Sequence, residues 1–159
     1  AIFVVIILGS CNNPKGDGSL VITDFKGIKP WLNKENDSLY IINFWATWCL
    51  PCVKEFPDFE RINSEYAEMK VKVLMVNLDF PEQIQKRVPQ FLKVRKSKLD
   101  VVVLDDPNQN YWINQVDSSW SGAIPATLIY SKEKRMFLES ELSYSQLDSI
   151  IKSYNIINQ

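Results

Sequence analysis

Two cysteines separated by two residues, Cys49 and Cys52, are the feature of this sequence that most clearly suggests chemistry. A Cys-x-x-Cys pair can belong to a zinc site, a structural disulfide or a redox-active dithiol. A structural zinc site needs about four ligands, whereas the chain has one further cysteine and no histidine. A structural disulfide across so short a loop would constrain the unfolded chain very little. The spacing therefore favours a redox pair.

The segments on either side of the pair predict how it is held. Residues 39–45 form a β-branched and aromatic run typical of a buried strand, and the spacing of apolar residues in 51–69 predicts a helix. Cys49 would then lie at the helix N-terminus, whose partial positive charge favours a thiolate, and it would be the attacking sulfur. Cys52, one turn further on and more buried, would resolve the mixed disulfide.

The alternation of strand and helix patterns continues along the chain. Apolar runs at residues 71–78 and 101–104 predict two more strands. Between them, residues 84–92 show helical spacing, although Pro89 should kink or interrupt this helix. This alternation is typical of an α/β protein.

The C-terminal part of the chain predicts a hairpin and a closing helix. Residues 126–130 and 135–139, joined by a charged turn, are predicted to form an antiparallel pair. The last helix should begin at Ser143, where Gln146 three residues on completes a capping box. Taken with the preceding elements, this predicts an α/β fold with a central mixed β-sheet flanked by α-helices.

The N-terminal residues resemble a targeting segment. Residues 1–8 are apolar but too few to span a bilayer, for which about 20 are needed. Residues 8–11, Leu-Gly-Ser-Cys, resemble a bacterial lipobox, in which the cysteine, here Cys11, is lipidated and becomes the mature N-terminus. The alternative is a truncated membrane anchor or a plain signal peptide. Each of these would place the domain outside the cytoplasm, where disulfide chemistry is normal.

The composition of successive segments indicates where the domain begins, and the residue types present argue against nucleic-acid and metal partners. We expect a truncated lipoprotein signal at 1–11, a flexible polar tether at 12–19 and one domain at 20–159. Charges are balanced, with 18 basic and 19 acidic residues, so nothing favours a nucleic-acid partner. The absence of histidine excludes an imidazole base and removes the commonest metal ligand, so we expect no metal and no cofactor beyond the Cys49–Cys52 disulfide.

Three motifs resemble those of one known superfamily. Residues 43–52, Asn-Phe-Trp-Ala-Thr-Trp-Cys-Leu-Pro-Cys, closely resemble the thioredoxin signature. Residues 52–57, Cys-Val-Lys-Glu-Phe-Pro, and 122–127, Gly-Ala-Ile-Pro-Ala-Thr, are similar to the membrane-tethered, extracytoplasmic TlpA/ResA-like branch. The resemblance covers about residues 20–159 and implies the thioredoxin fold, with the dithiol at the start of a long helix. Pro57 matches the kink proline of that helix.

The resemblance also implies a substrate-binding surface around the dithiol. It implies that Pro125 is cis and faces the cysteines, leaving the backbone of Ile124 free to pair with an extended substrate segment. From the sequence alone, an ordinary trans proline at the start of a strand is the alternative. Trp48 is expected on the apolar surface beside Cys49, whereas Trp45 is expected in the core. Trp120 suits either place.

Glu55 is the third candidate catalytic residue. It follows Cys52 by three residues, so it should lie on the same helix face, one turn deeper. The branch that the sequence resembles keeps a partly buried Glu here, which can exchange a proton with the buried thiol, and burial would raise its pKa. Alternatively, it is a first-turn carboxylate that interacts with the helix dipole. Many thioredoxins carry an Asp on the preceding strand, but the matching Asn43 cannot titrate.

Together the residues and the resemblance imply a thiol–disulfide oxidoreductase, lipid-anchored in the periplasm of a Gram-negative-type bacterium. Protein disulfides or dithiols would be its substrates. Leu50 and Pro51 place no positive charge between the cysteines, so the thiolate is less stabilised, the potential is lower and reduction of substrates is favoured. The TlpA/ResA-like branch suggests the haem-binding cysteines of apocytochrome c as substrates and a membrane thiol reductant as electron donor.

Other activities of the same fold remain as alternatives. The nearest is a thiol oxidase or isomerase. A peroxiredoxin-like peroxidase would need a Pro-x-x-x-Ser/Thr-x-x-Cys pattern, but Ile42 and Ala46 occupy those positions before Cys49. A metal-binding module of this fold would use more widely spaced cysteines and a histidine, which the chain lacks.

Overall fold

The computed structural model describes residues 20–154. The expected signal at 1–11, with Cys11, and the expected tether at 12–19 lie outside the described residues, as do residues 155–159. Within the described range, no helix is long and apolar enough to cross a membrane.

Within residues 20–154, six strands form one mixed sheet, and helices connect them. The strands are β1 (Val21–Thr23), β2 (Leu39–Trp45), β3 (Val71–Asn77), β4 (Asp100–Leu104), β5 (Ala126–Tyr130) and β6 (Arg135–Leu138). The α-helices are α1 (Phe25–Ile28), α2 (Leu50–Glu65), α3 (Pro81–Arg95), α4 (Gln109–Val116) and α5 (Tyr144–Lys152), and a short 3₁₀ helix spans Lys29–Trp31. The sheet order is β1-β4-β3-β2-β5-β6. The first four strands in this order pair in parallel, whereas β5 is antiparallel to both of its neighbours.

The strand β2 lies inside the sheet, and all seven of its residues are buried. Because side chains alternate along a strand, its residues enter two hydrophobic cores. Ile41 packs in the core formed with α2 and α5, against which α3 also packs. Ile42 packs in the core formed with α1 and α4. Coverage of both faces explains why β2 is an uninterrupted apolar run apart from Asn43.

The predicted strands and the antiparallel pair are confirmed, with small differences at their ends. The capping box of α5 is also confirmed, because the Ser143 hydroxyl accepts from Gln146 N while the Gln146 side chain accepts from Ser143 N. The helix predicted for 51–69 ends earlier, at Glu65. Beyond Tyr66 the next four residues are all exposed, so no apolar stripe continues the helix.

The helix α3 runs through Pro89 without interruption, contrary to one of the two predicted outcomes. Proline removes the hydrogen bond to the carbonyl four residues earlier, which here belongs to Gln85. Both Pro89 and Gln85 are exposed. The released carbonyl is therefore on the solvent side, while Ile84 and Val88 hold the helix against the sheet.

Candidate active site

Cys49 is the N-cap of α2, at the end of the turn that follows β2. It forms a disulfide with Cys52, whose backbone N–H lies 3.3 Å from Cys49 Sγ. Cys52 is completely buried, and Cys49 keeps 5% of its surface exposed. The predicted placement of Cys49 at a helix N-terminus and of Cys52 deeper in the protein is thus confirmed. In the reduced protein the Cys52 N–H and the positive end of the α2 dipole would stabilise a Cys49 thiolate.

The segment before β5 lies against the disulfide. The Ile124–Pro125 peptide bond is cis, as the resemblance implied, so the alternative of an ordinary trans proline is wrong. The carbonyl oxygen of Ile124 lies 3.7 Å from Cys49 Sγ. This is a contact and not a hydrogen bond, because a disulfide sulfur carries no hydrogen. A backbone acceptor therefore lies beside Cys49 Sγ.

Packing in the core holds this segment in place. Trp120 is buried, packs against Phe44 with ring centroids 4.7 Å apart, and donates its indole N–H to Ala123 O at 2.8 Å. Trp120 was expected either on the apolar surface beside Cys49 or in the core, and the structure places it in the core. Glu139 of the hairpin accepts hydrogen bonds from Ser121, and Gly122 takes a φ of 94°, which favours glycine.

An exposed apolar surface adjoins Cys49. Trp48 is 43% exposed and stacks on Phe80, which is 55% exposed, with ring centroids 5.4 Å apart. Leu50 is also strongly exposed. We call Trp48, Leu50 and Phe80 the apolar rim. Trp48 was predicted, as was the burial of Trp45 in the core. Phe80 was missed, although a residue just beyond a parallel neighbour of β2 is expected near that edge of the sheet.

A buried carboxylate fixes the turn that precedes Cys49. Asp79, just beyond β3, is 4% exposed. Its Oδ1 accepts from the backbone N–H of Thr47 at 2.9 Å and from the Thr47 hydroxyl at 3.0 Å. Asn77 Nδ2 lies 3.4 Å from the other oxygen. Asp79 was not predicted as part of the site, because nothing in the local sequence pattern distinguishes it from an ordinary residue at a strand end.

Glu55 is buried inside the protein, only 1% exposed, and does not belong to the acidic residues of a first turn. Asn43 Nδ2 donates to its Oε1 at 2.8 Å, and Leu142 N donates to its Oε2 at 2.7 Å. Burial raises the pKa of Glu55 to about 7, opposed by these two hydrogen bonds and assisted by the negative charges of Glu141 and Asp58. The predicted burial and raised pKa are confirmed, which disfavours the helix-dipole alternative.

No cluster of three or more His, Cys, Asp or Glu side chains that could hold a metal ion occurs in the described part of the chain. Glu55 and Asp79 are instead hydrogen-bonded to neighbouring side chains and backbone N–H groups, whereas Asn43 Oδ1 and Trp45 Nε1 are buried without a hydrogen-bond partner among residues 20–154.

The order of the strands and the place of the disulfide are those of the thioredoxin fold. The chain belongs to the AhpC/TSA family, whose model matches residues 21–136. The predicted fold and the predicted membership of the wider thioredoxin superfamily are therefore confirmed.

Similar proteins carry names that refer to dithiol chemistry. The chain is 38% identical over 63 residues to sporulation thiol-disulfide oxidoreductase A of Bacillus subtilis (strain 168). That alignment covers 40% of this chain and 38% of the relative. It is 26% identical over 114 residues to thiol-disulfide oxidoreductase ResA of Halalkalibacterium halodurans, covering 72% of this chain and 60% of the relative. The alignments thus span less than two thirds of these relatives. A crystal structure of StoA from Bacillus subtilis matches with a TM-score of 0.58 at 24% identity, covering 72% of this chain and 83% of that one.

Although the chain belongs to the AhpC/TSA family, it lacks the proline and the serine or threonine of the peroxiredoxin pattern. Ile42 and Ala46 are buried apolar side chains at the two positions of that pattern, so neither supplies a hydroxyl beside Cys49. The site instead contains two cysteines already joined to each other.

Proposed function

We propose that this protein is an extracytoplasmic thiol–disulfide oxidoreductase that exchanges disulfides with protein substrates through Cys49 and Cys52. The observation that carries the proposal is the Cys49–Cys52 disulfide at the start of α2, with the Ile124 carbonyl beside Cys49 Sγ. This arrangement supplies a stabilised thiolate, a second sulfur within bonding distance and a backbone edge for a peptide.

Exchange proceeds in two displacements. The Cys49 thiolate attacks one sulfur of a substrate disulfide, the other substrate sulfur leaves as a thiolate and takes up a proton, and a mixed disulfide forms. Cys52 then loses its proton and attacks Cys49 Sγ, so the second substrate sulfur leaves. The substrate gains two electrons and two protons, and the protein returns to the disulfide form seen here.

Glu55 is the group that we assign to the proton of Cys52. It follows Cys52 by three residues on α2, so the two lie on the same helix face. With a pKa raised to about 7 by burial, the carboxyl is close to half ionised near neutral pH. It therefore suits both acceptance and return of a proton.

The apolar rim and the cis-proline segment form the proposed substrate-binding surface. Trp48, Leu50 and Phe80 offer exposed apolar area next to Cys49, and Ile124 with Pro125 offers an extended backbone edge. A partly unfolded segment around a substrate cysteine has both an apolar character and free backbone groups, which matches this surface.

The finer parts of the proposal rest on sequence. The uncharged Leu50–Pro51 pair favours a low potential and hence reduction of substrates, including apocytochrome c cysteines, with electrons from a membrane thiol reductant. The lipobox-like residues ending at Cys11 support a periplasmic, lipid-anchored location. Isomerase or oxidase activity is the competing assignment, and the reduction potential separates it from reductase activity.

Trapping of mixed disulfides tests the central proposal. The reduced wild-type protein, Cys52→Ser and Cys49→Ser are each mixed with a disulfide-containing model protein and separated on non-reducing gels. Cys52→Ser should accumulate an adduct through Cys49, because the resolving sulfur is absent, while the wild type completes reduction. Cys49→Ser is the matched control and should trap little. Equal trapping by both variants would show that Cys49 is not the attacking sulfur.

A further inference from the structure

Two buried polar residues next to Glu55 take no part in the mechanism described so far. Asn43 of β2 and Thr127 of β5 are both completely buried. They face each other as a cross-strand pair of the antiparallel β2–β5 ladder. Asn43 Nδ2 donates to Thr127 Oγ1 at 3.0 Å and to Glu55 Oε1 at 2.8 Å. A single amide nitrogen thus joins the strand that follows Pro125 to the carboxyl of Glu55.

The other end of the Asn43 amide is unsatisfied. Asn43 Oδ1 is fully buried and has no hydrogen-bond partner among residues 20–154. A buried acceptor without a partner is unfavourable, and most buried side-chain polar atoms in proteins are paired. The present orientation is therefore explained only by what Nδ2 gains, namely two acceptors at once.

The orientation seen here suits an ionised Glu55, because a carboxylate can only accept hydrogen bonds. A protonated Glu55 has a hydroxyl to donate, and it then needs an acceptor at the place of Asn43 Nδ2. Rotation of the amide by half a turn puts Oδ1 at that place. Oδ1 would then accept from Glu55 and also from Thr127, since a threonine hydroxyl can either donate or accept.

We propose that Asn43 and Thr127 are positioning residues for the proton transfer at Glu55, and that the Asn43 amide turns over each time Glu55 gains or loses its proton at Oε1. Glu55 Oε2 keeps its hydrogen bond from Leu142 N in both states. The assignment deepens the proposed function and rests on it only in naming Cys52 as the partner that exchanges the proton.

No charged side chain is hydrogen-bonded to Glu55 among residues 20–154, so neutral groups position its proton. The charged groups that act on Glu55 are Asp58 of α2 and Glu141, which precedes α5, and Glu141 is paired with Lys54 at 2.6 Å. The groups that bond Glu55 directly are an amide and a backbone N–H. An aspartate at position 43 would instead form a coupled pair of acids with Glu55. Asparagine presents a donor or an acceptor without carrying charge.

The test measures the titration of Glu55 in the oxidised protein without substrate, so it is independent of disulfide exchange. Carboxyl carbons of Glu55 and the side-chain amide of Asn43 are followed by NMR from pH 5 to 9. In the wild type, the Asn43 amide signals should shift with the same midpoint as Glu55. In Glu55→Gln, whose amide can donate at all pH values, the Asn43 signals should stay near their low-pH positions.

Variants at Thr127 supply the matched comparison. Thr127→Val removes a partner of the Asn43 amide in both states, but only when Glu55 is ionised does this leave a buried Nδ2–H without an acceptor. When Glu55 is protonated, Oδ1 keeps the hydrogen bond from Glu55. The Glu55 midpoint should therefore rise by about one pH unit, whereas Thr127→Ser should restore the wild-type value. An unchanged midpoint in a folded Thr127→Val protein would overturn the role of Thr127. Asn43 signals that stay constant through the Glu55 titration would overturn the turning amide, and this measurement needs only the wild type.

Discussion

At the scale of single residues, the site depends on a carboxyl group held where water cannot reach it. Glu55 keeps both oxygens hydrogen-bonded, yet burial still raises its pKa to about 7. Desolvation is therefore larger than the combined effect of the two donors. The consequence is a group that changes its charge near neutral pH in a chain without histidine.

The raised pKa of Glu55 predicts a specific pH dependence of stability. From its ordinary value of 4.5 up to about 7, the folded protein holds a proton that the unfolded chain has released. Rising pH in this interval therefore lowers the free energy of unfolding. Urea denaturation of the oxidised protein should show that the wild type loses on the order of 2 kcal/mol more than Glu55→Gln between pH 4 and pH 8. Parallel stability curves would contradict a raised pKa.

Sequence spacing located the cysteines, and the resemblance to the TlpA/ResA-like branch pointed to Glu55 and Pro125, because each belongs to a short local motif. Asp79 and Phe80 could not be found this way, since their contacts with Thr47 and Trp48 depend on how β3 lies beside β2. The bond of Asn43 with Thr127 likewise depends on strand register. Tertiary contacts between distant segments leave no periodic signal in either segment.

At the scale of elements, segments with a strong local pattern were predicted, whereas β1 and α4 were not. The seven buried residues of β2 and the capping box of α5 leave clear local signals. The strand β1 has three residues, none of them buried. The helix α4 begins at Gln109, and its N-cap residue Asn108 makes no side-chain capping hydrogen bond. Tertiary contacts stabilise both elements. The strand β1 pairs with β4, and α4 packs its Trp112 into the hydrophobic core.

The turn between β2 and α2 should depend on its buried carboxylate. Asp79→Ala leaves the Thr47 N–H and hydroxyl without their acceptor in a part-buried place, which should cost about 1–3 kcal/mol of unfolding free energy in urea. Asp117 is the matched control, because its carboxylate also accepts from a backbone N–H and a hydroxyl, both of Ser119, but at the surface. Asp117→Ala should cost clearly less, and an equal loss for the two variants would exclude a special role for Asp79.

At the scale of the whole molecule, antiparallel pairing brings the two halves of the site together. The end of β2 lies beside the start of β5, with Phe44 opposite Ala126. The chain leaving β2 therefore reaches Cys49 close to the point where Pro125 enters β5. The same ladder pairs Asn43 with Thr127, so the proposed substrate edge and the proton site share one pair of strands.

We expect a lipid on Cys11 to hold the whole protein at a membrane. If Cys11 carries lipid, the domain from residue 20 onward is tethered by a short polar segment and exchanges disulfides close to the bilayer. The protein is expressed in bacteria with a complete secretory signal ahead of residue 1, and cells are labelled with radioactive palmitate. The wild type should be labelled and recovered with membranes, because buried acyl chains contribute about 0.8 kcal/mol per CH₂ group.

Cys11→Ala should lose both the label and the membrane fraction. The double variant Cys49→Ala/Cys52→Ala is the matched control: it removes the other two thiols of the chain and should keep both. Label retained in Cys11→Ala would exclude lipidation at this residue. Label lost only in the double variant would mean that the acyl group had been attached to the dithiol. A protein that is secreted and unlabelled in every form would favour the plain signal peptide over the lipoprotein signal.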